Sequence, residues 1–389
     1  MKDMDISYII NELGEERENY FNAVSPPIIQ TSNFTFNTVS DFRAAMADEF
    51  ETTIYSRGNN PTLNILRQKL AALDGAEDAL VFASGVAAIT VPVLALLKQG
   101  DHVVCVENCY SWAIKLFRDM LPRFGVSCTF VDGGQTENFE AALQANTKLI
   151  YLESPNTFSY ELQDLSAIAK IAKAKGIITM IDNSYCSPLY QQPIAHGIDL
   201  VMQTATKYIG GHSDVVAGVL SGPKALLKQI FNHEFMTVGA TLSPNSAWLL
   251  IRGLRTLPLR VNRSFESTKT ITAWLQKHPK VDKVIWPFAP GFKQAELAKK
   301  QMKGCGGLFS FTLKDSSVET IEAFCNKLQH ILMAVSWGGH ESLIIPSIVG
   351  VPTAEFDATN PRHHLIRMYV GLEDADYLIK DLEQALGSL

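Results

Sequence analysis

The chain has 389 residues, 47% of them hydrophobic and 19% charged, with a formal net charge of −6. That length suffices for a large buried core and about two to three domains' worth of chain, and the acidic balance offers no basic surface to nucleic acid or to an anionic membrane. The opening Met1-Lys2-Asp3-Met4-Asp5 is polar and acidic, and the longest apolar run, around 86–97, is too short to span a bilayer, so a cytoplasmic protein with neither nucleic-acid nor membrane partner is expected.

Residues 1–60 read as an irregular arm with Pro26, Pro27 and little periodicity, too long for a plain loop unless it packs on something, a partner subunit being one candidate. From Pro61 a helix is expected, because Leu63, Leu66, Leu70 and Leu73 recur at helical spacing and Gly75 stands where a C-terminal cap belongs. Val81-Phe82-Ala83-Ser84-Gly85-Val86-Ala87-Ala88 then reads as strand, tight turn and helix. Strands are expected at 102–107, 126–132, 148–153, 177–182 and 198–204, with helical stretches such as 165–175 between several of them. This alternation of helices with continuous apolar strands predicts an α/β fold, with a mainly parallel sheet covered on both faces, in a large domain over 61–243. After about Ser243 the rhythm changes to helices at 245–255, 263–277, 318–328 and 375–386 with strands at 281–285, 308–313 and 365–370, a smaller α+β domain over 244–389. The six cysteines, Cys105, Cys109, Cys128, Cys186, Cys305 and Cys325, show no CxxC pattern and read as buried, reduced thiols rather than a disulfide framework or a metal site.

In parallel α/β sheets ligands bind at the carboxyl ends of strands, and here those ends carry reactive groups. Lys207 follows the strand 198–204 in Gln203-Thr204-Ala205-Thr206-Lys207-Tyr208-Ile209-Gly210-Gly211-His212-Ser213-Asp214. On spacing alone it reads equally as an ordinary surface lysine. The apolar run at 177–181 ends in Asp182-Asn183, a carboxylate that either caps the next helix or pairs with a cation, since a buried charge without a partner costs several kcal/mol. The Ser84-Gly85 turn at a helix start suits a phosphate, while the chain has neither a GxGxxG nor a Gly-x4-Gly-Lys-Ser/Thr pattern. Tyr110 follows the strand ending at Glu107. Together these residues meet the needs of pyridoxal phosphate: a lysine for the Schiff base, an acid for the pyridine nitrogen, donors for the phosphate and an aromatic face for the ring.

The chain also resembles the Cys/Met-metabolism family of pyridoxal-phosphate enzymes, which includes cystathionine γ-synthase, cystathionine β- and γ-lyases and methionine γ-lyase. The resemblance runs in order through Tyr55-Ser56-Arg57-Gly58-Asn59-Asn60-Pro61-Thr62, Ser84-Gly85-Val86-Ala87-Ala88, Ile181-Asp182-Asn183, Ala205-Thr206-Lys207-Tyr208, Arg252-Gly253-Leu254-Arg255, Ser336-Trp337-Gly338-Gly339-His340-Glu341-Ser342-Leu343 and Ile366-Arg367-Met368-Tyr369-Val370-Gly371-Leu372-Glu373. It implies a fold type I, aspartate-aminotransferase-like architecture, with Lys207 as the cofactor's anchor and the base for the Cα proton. Asp182 would sit on the pyridine nitrogen and Tyr110 on the ring. The phosphate would be held by the Gly85 and Val86 backbone, the Thr204 and Thr206 hydroxyls, and Tyr55 and Arg57 supplied by a neighbouring subunit. Arg367 would hold the substrate α-carboxylate with help from Ser336. The resemblance further implies a small-molecule sulfur amino acid as substrate and a homotetramer built as a dimer of dimers.

Within the family, Trp337 and Thr157 are similar to the bacterial cystathionine β-lyase branch, where γ-branch members carry leucine and asparagine. Gly58 departs from that branch, which has a second arginine there for the far end of cystathionine. The β-lyase reading therefore stands beside γ-chemistry, with a PLP-fold binding module and a metal hydrolase on His212, Asp214, His363 and His364 as readings from other classes.

Overall fold

Strands that are apolar along their whole length need cover on both faces, and the first half of the chain provides it. The structure, a computed structural model, describes residues 4–389. β1 (Asp78–Phe82), β2 (His102–Val106), β3 (Ser127–Val131), β4 (Thr147–Glu153), β5 (Ile178–Asp182), β6 (Leu200–Gln203) and β7 (Gly218–Gly222) form one seven-stranded sheet in the order β1-β7-β6-β5-β4-β2-β3. Pairing from β3 through β6 is parallel, and β7 runs antiparallel to both β1 and β6. Every residue of β2 and β6 is buried. The helix Pro61–Asp74 begins on an Asn60 cap with proline in its first turn and stops at Gly75, whose φ of 69° a left-handed cap requires.

Five further strands, β8 (Val281–Ile285), β9 (Leu308–Leu313), β10 (Leu332–Met333), β11 (Leu343–Pro346) and β12 (Ile366–Tyr369), make a second sheet in the order β10-β11-β12-β9-β8. Within it β10 and β11 pair in parallel, and β11·β12, β12·β9 and β9·β8 pair antiparallel. One apolar cluster runs from Leu66 through Tyr208 and Leu257 to Phe309 and Ile366, so the two sheets share a core. Among the described residues no helix is long and apolar enough to cross a membrane.

The arm is more ordered than its composition suggests. Residues Ile6–Asn11 form a helix capped by Asp5, and Val39–Ala47 form another capped by Thr38. Ile9 and Ile10 are buried, and the fully buried Lys69 donates to their carbonyls at 3.1 and 3.3 Å while pairing with Glu15 at 3.0 Å. Arg255 holds the same carboxylate at 3.1 Å. The start of the arm is thus fastened to its own chain, because a buried ammonium demands an anion. Beyond it Phe21, Val24, Val39 and Tyr55 stand exposed. Glu15→Ala leaves Lys69 charged and unpaired, and is expected to lower stability by about 3–5 kcal/mol in denaturant unfolding. A loss below roughly 1 kcal/mol, the range of exposed pairs, would mean that water reaches the ammonium.

Candidate active site

The carboxyl ends of β1, β4, β5 and β6 open into a cavity of about 770 Å³, whose other wall is made by Val335, Ser336, Trp337, Ile345 and Arg367 from the second sheet and its loops. Lys207 reaches it from the turn after β6. Its Nζ donates to Ser336 Oγ and lies 5.4 Å from the centre of the Trp337 ring, which Tyr208 braces at 5.3 Å. Burial, with the Arg367 charge adding to it and Asp182 opposing, brings the Lys207 amine down to about 8. Backbone and side chain meet closely here: Gly338 has φ 88°, and a Cβ on it would lie 2.9 Å from the Lys207 backbone. Ser336 sits in the left-handed region at φ 79°, a conformation that costs roughly 1–3 kcal/mol for such a residue. It turns the Ser336 hydroxyl to Lys207 while its carbonyl accepts from Arg367 at 3.4 Å.

Arg367 lies in β12, and among the described residues no carboxylate pairs with it. The Ser336 carbonyl is its hydrogen-bond partner among the described residues, and its guanidinium packs 4.9 Å from the Phe158 ring centre. A partly dehydrated guanidinium facing a cavity in this way is built to receive an anion.

Asp182 and Glu153 are directly paired across β5 and β4. Both are buried, and burial raises both; Glu153 reaches about 8, with the Asp182 charge adding to the effect. They differ in their partners. Glu153 accepts from the Tyr110 amide at 2.6 Å and from the Thr157 amide and hydroxyl at 2.7 Å each. Asp182 accepts from the Ser184 amide at 2.9 Å, leaving capacity for a cationic N–H. Tyr110 lines the cavity, and its phenol is raised by burial and by these two carboxylates, so it remains a donor.

Gly85 and Val86 open the helix Gly85–Leu96, where Ser84 Oγ accepts from the Ala87 amide at 3.1 Å. Their first-turn amides have no helical acceptor, and both residues line the cavity. A Cβ at Gly85 would lie 2.6 Å from Thr204 Cβ, so the cradle admits only glycine without rearrangement. Thr204 and Thr206 complete it, their hydroxyls donating to the Ala217 carbonyl at 3.4 and 3.2 Å. An amine, a carboxylate with spare accepting capacity, a helix N-terminus and adjacent hydroxyls are the donor set that pyridoxal phosphate needs, and the residues present fit it.

Thr157 lines the cavity but directs its hydroxyl to Glu153 rather than to open space. Tyr55 and Arg57 do not line it; the Arg57 guanidinium stacks 5.4 Å from the exposed Tyr55 ring. Glu153, Asn156, Ser184 and Arg362 also line the cavity and were not among the expected site residues. For Glu153 the signal was present, since it ends a strand as Asp182 does. Cys128 is half-buried, the other cysteines buried, and all six are free. His212, His363 and His364 hydrogen-bond to backbone, and among the described residues no group of three or more His, Cys, Asp or Glu could hold a metal.

The model of the Cys/Met metabolism PLP-dependent enzyme family matches residues 8–387. L-methionine gamma-lyase of Treponema denticola is 38% identical over 379 residues, covering 96% of this chain and 94% of the relative. Cystathionine gamma-lyase of Macaca fascicularis is also 38% identical, over 96% and 91%. The crystal structure of metB from Corynebacterium glutamicum superposes with a TM-score of 0.91 at 32% identity, covering 99% of this chain and 98% of that one. A match of that extent, over a cleft whose donors fit the cofactor, means that the chain belongs to the Cys/Met metabolism family of PLP-dependent enzymes.

Proposed function

We propose that the chain is a carbon–sulfur lyase that cleaves L-cystathionine or a related sulfur amino acid by α,β-elimination to pyruvate, ammonia and a thiol, homocysteine in the case of cystathionine. Trp337 is the observation that carries this reading. α,β-Elimination asks the lysine for one proton, at Cα, whereas γ-elimination asks it to serve Cβ as well. An indole packed over Lys207 narrows the sweep of its side chain. The opposing reading, γ-chemistry, is favoured by the names of the relatives, methionine and cystathionine gamma-lyases.

Gly85, Val86, Thr204 and Thr206 would hold the cofactor's phosphate, Asp182 its ring nitrogen and Tyr110 its ring face, with Lys207 as anchor. Tyr55 and Arg57, exposed and outside the lining of their own cavity, would complete the site of a second copy, in a homotetramer assembled from two such pairs. When bound, pyridoxal phosphate supplies the electron sink for the Cα electron pair. Arg367 grips the substrate α-carboxylate, Ser336 steadies that guanidinium, and Lys207 removes the Cα proton. The Cβ–S bond breaks with its electron pair on sulfur, the Tyr110 hydroxyl, kept protonated by its surroundings, delivers a proton to the thiolate, and one water hydrolyses the released 2-aminoacrylate, through its imine, to pyruvate and ammonia. Thr157 and Trp337 wall the substrate.

A base must be unprotonated to act, so kcat is expected to rise with pH through about 8, where burial has brought the Lys207 amine, instead of near its ordinary value. A pH profile of kcat, flat between 7 and 9.5 (roughly one unit below to well above that value), would remove Lys207 from the rate-limiting proton transfer. Incubation with L-cystathionine decides the regiochemistry. Pyruvate with homocysteine is expected; 2-oxobutyrate with cysteine would establish γ-cleavage instead.

A further inference from the structure

A second arginine faces the same cavity. Arg362 sits in the loop before β12, five residues ahead of Arg367, and both line the cleft. The loop is pinned at this residue: the Arg362 amide donates to Asn360 Oδ1 at 3.1 Å, and its carbonyl accepts from Ser347 Oγ at 2.6 Å and from the Leu365 amide at 3.3 Å. Its side chain is exposed, and among the described residues the guanidinium has neither a hydrogen bond nor an ion pair. Glu161 feels its charge, which opposes the rise that burial and Asp132 impose on that carboxyl, yet the two form no salt bridge.

The same cavity is also lined by the apolar side chains of Val335, Trp337, Ile345 and Leu365. A cleft lined by two arginines and by these hydrocarbon side chains matches one ligand chemistry: an amino acid whose α-carboxylate meets one guanidinium, whose thioether chain lies on the apolar lining, and whose far end carries a second carboxylate. We propose that Arg362 is a specificity-determining residue that binds the distal carboxylate of the substrate, so that the preferred substrates are cysteine S-conjugates ending in an acidic group. The proposal deepens the lyase reading above and rests on it for the sulfur position. Distal recognition itself depends only on the two guanidiniums. Arginine suits the role because its planar fork binds a carboxylate bidentately and stays charged at every working pH.

The test uses the holoenzyme and two ligands that cannot undergo elimination because carbon replaces sulfur, L-2-aminopimelate and L-2-aminoheptanoate, which differ in whether the far end is a carboxylate or a methyl group. Calorimetric titration should show the wild-type protein binding the dicarboxylate more tightly by about tenfold or more, the size of one charge-assisted hydrogen bond. Arg362→Gln should abolish that preference while leaving aminoheptanoate affinity unchanged, and Arg362→Lys should restore part of it. Because all three backbone hydrogen bonds of residue 362 survive these substitutions, the loop has no reason to collapse. Equal weakening of both ligands in the variant would signify a structural role, and an absent preference in the wild type, or one that persists in Arg362→Gln, would equally overturn the assignment. The cystathionine product assay is read separately: 2-oxobutyrate there would overturn β-elimination and leave the Arg362 result standing.

Discussion

Lys207→Ala is expected to reduce turnover of L-cystathionine by about 10³-fold or more, because loss of a positioned base alone typically removes 10²–10⁴ and the anchor of the cofactor goes with it. The side chain has no nearby substitute. Tyr110 is raised by burial and by its acidic neighbours, and Glu153, though raised to about 8, has its oxygens occupied by the Tyr110 and Thr157 donors. Thiol release at saturating substrate gives the rate, and borohydride reduction followed by peptide mass analysis should place the cofactor's mass on Lys207 in the wild type only. Wild-type turnover by the variant would defeat the assignment of the base. The fold should survive, since Lys207 contributes one side-chain hydrogen bond, to Ser336, and a contact with Trp337.

The second large effect falls on Arg367. Arg367→Ala is expected to lower kcat/KM by roughly 10²-fold, since one charge-assisted hydrogen bond contributes about 1.5–3 kcal/mol and a bidentate pair adds a second. Arg367→Lys keeps the charge without the fork and should fall between. The substitution also acts at a distance. The Arg367 charge disfavours protonated Lys207, so its removal lets the Lys207 amine rise above about 8, and the ascending limb of the kcat profile should move to higher pH. An unchanged KM in Arg367→Ala would mean that the carboxylate is held elsewhere.

The residues that were legible in the sequence are those whose chemistry and location coincide. Lys207, Asp182, Gly85 and Val86 follow strands whose apolar runs announce them, and the parallel-strand rule then gives their address. β7 was missed because it begins and ends on glycine, Gly218 and Gly222, and such a segment reads as loop. The helix Leu257–Leu275 begins six residues earlier than its expected start at 263, since Pro258 looks like a break although proline is at home in a first turn. The arm was misjudged at Glu15, where order comes from an ion pair with Lys69 and Arg255 far along the chain. Arg362 escaped for a similar reason: nothing in Asn360-Pro361-Arg362-His363 announces a cavity, and only tertiary folding turns that loop toward Arg367.

Ser336 joins the two halves of the molecule as well as the two cations. Its hydroxyl takes a hydrogen bond from a lysine that follows the seven-stranded sheet, while its carbonyl takes one from an arginine inside the five-stranded sheet. A ligand seated across both groups acts as a mechanical coupler on top of the shared core, so occupancy should be felt as a higher melting temperature of the whole molecule.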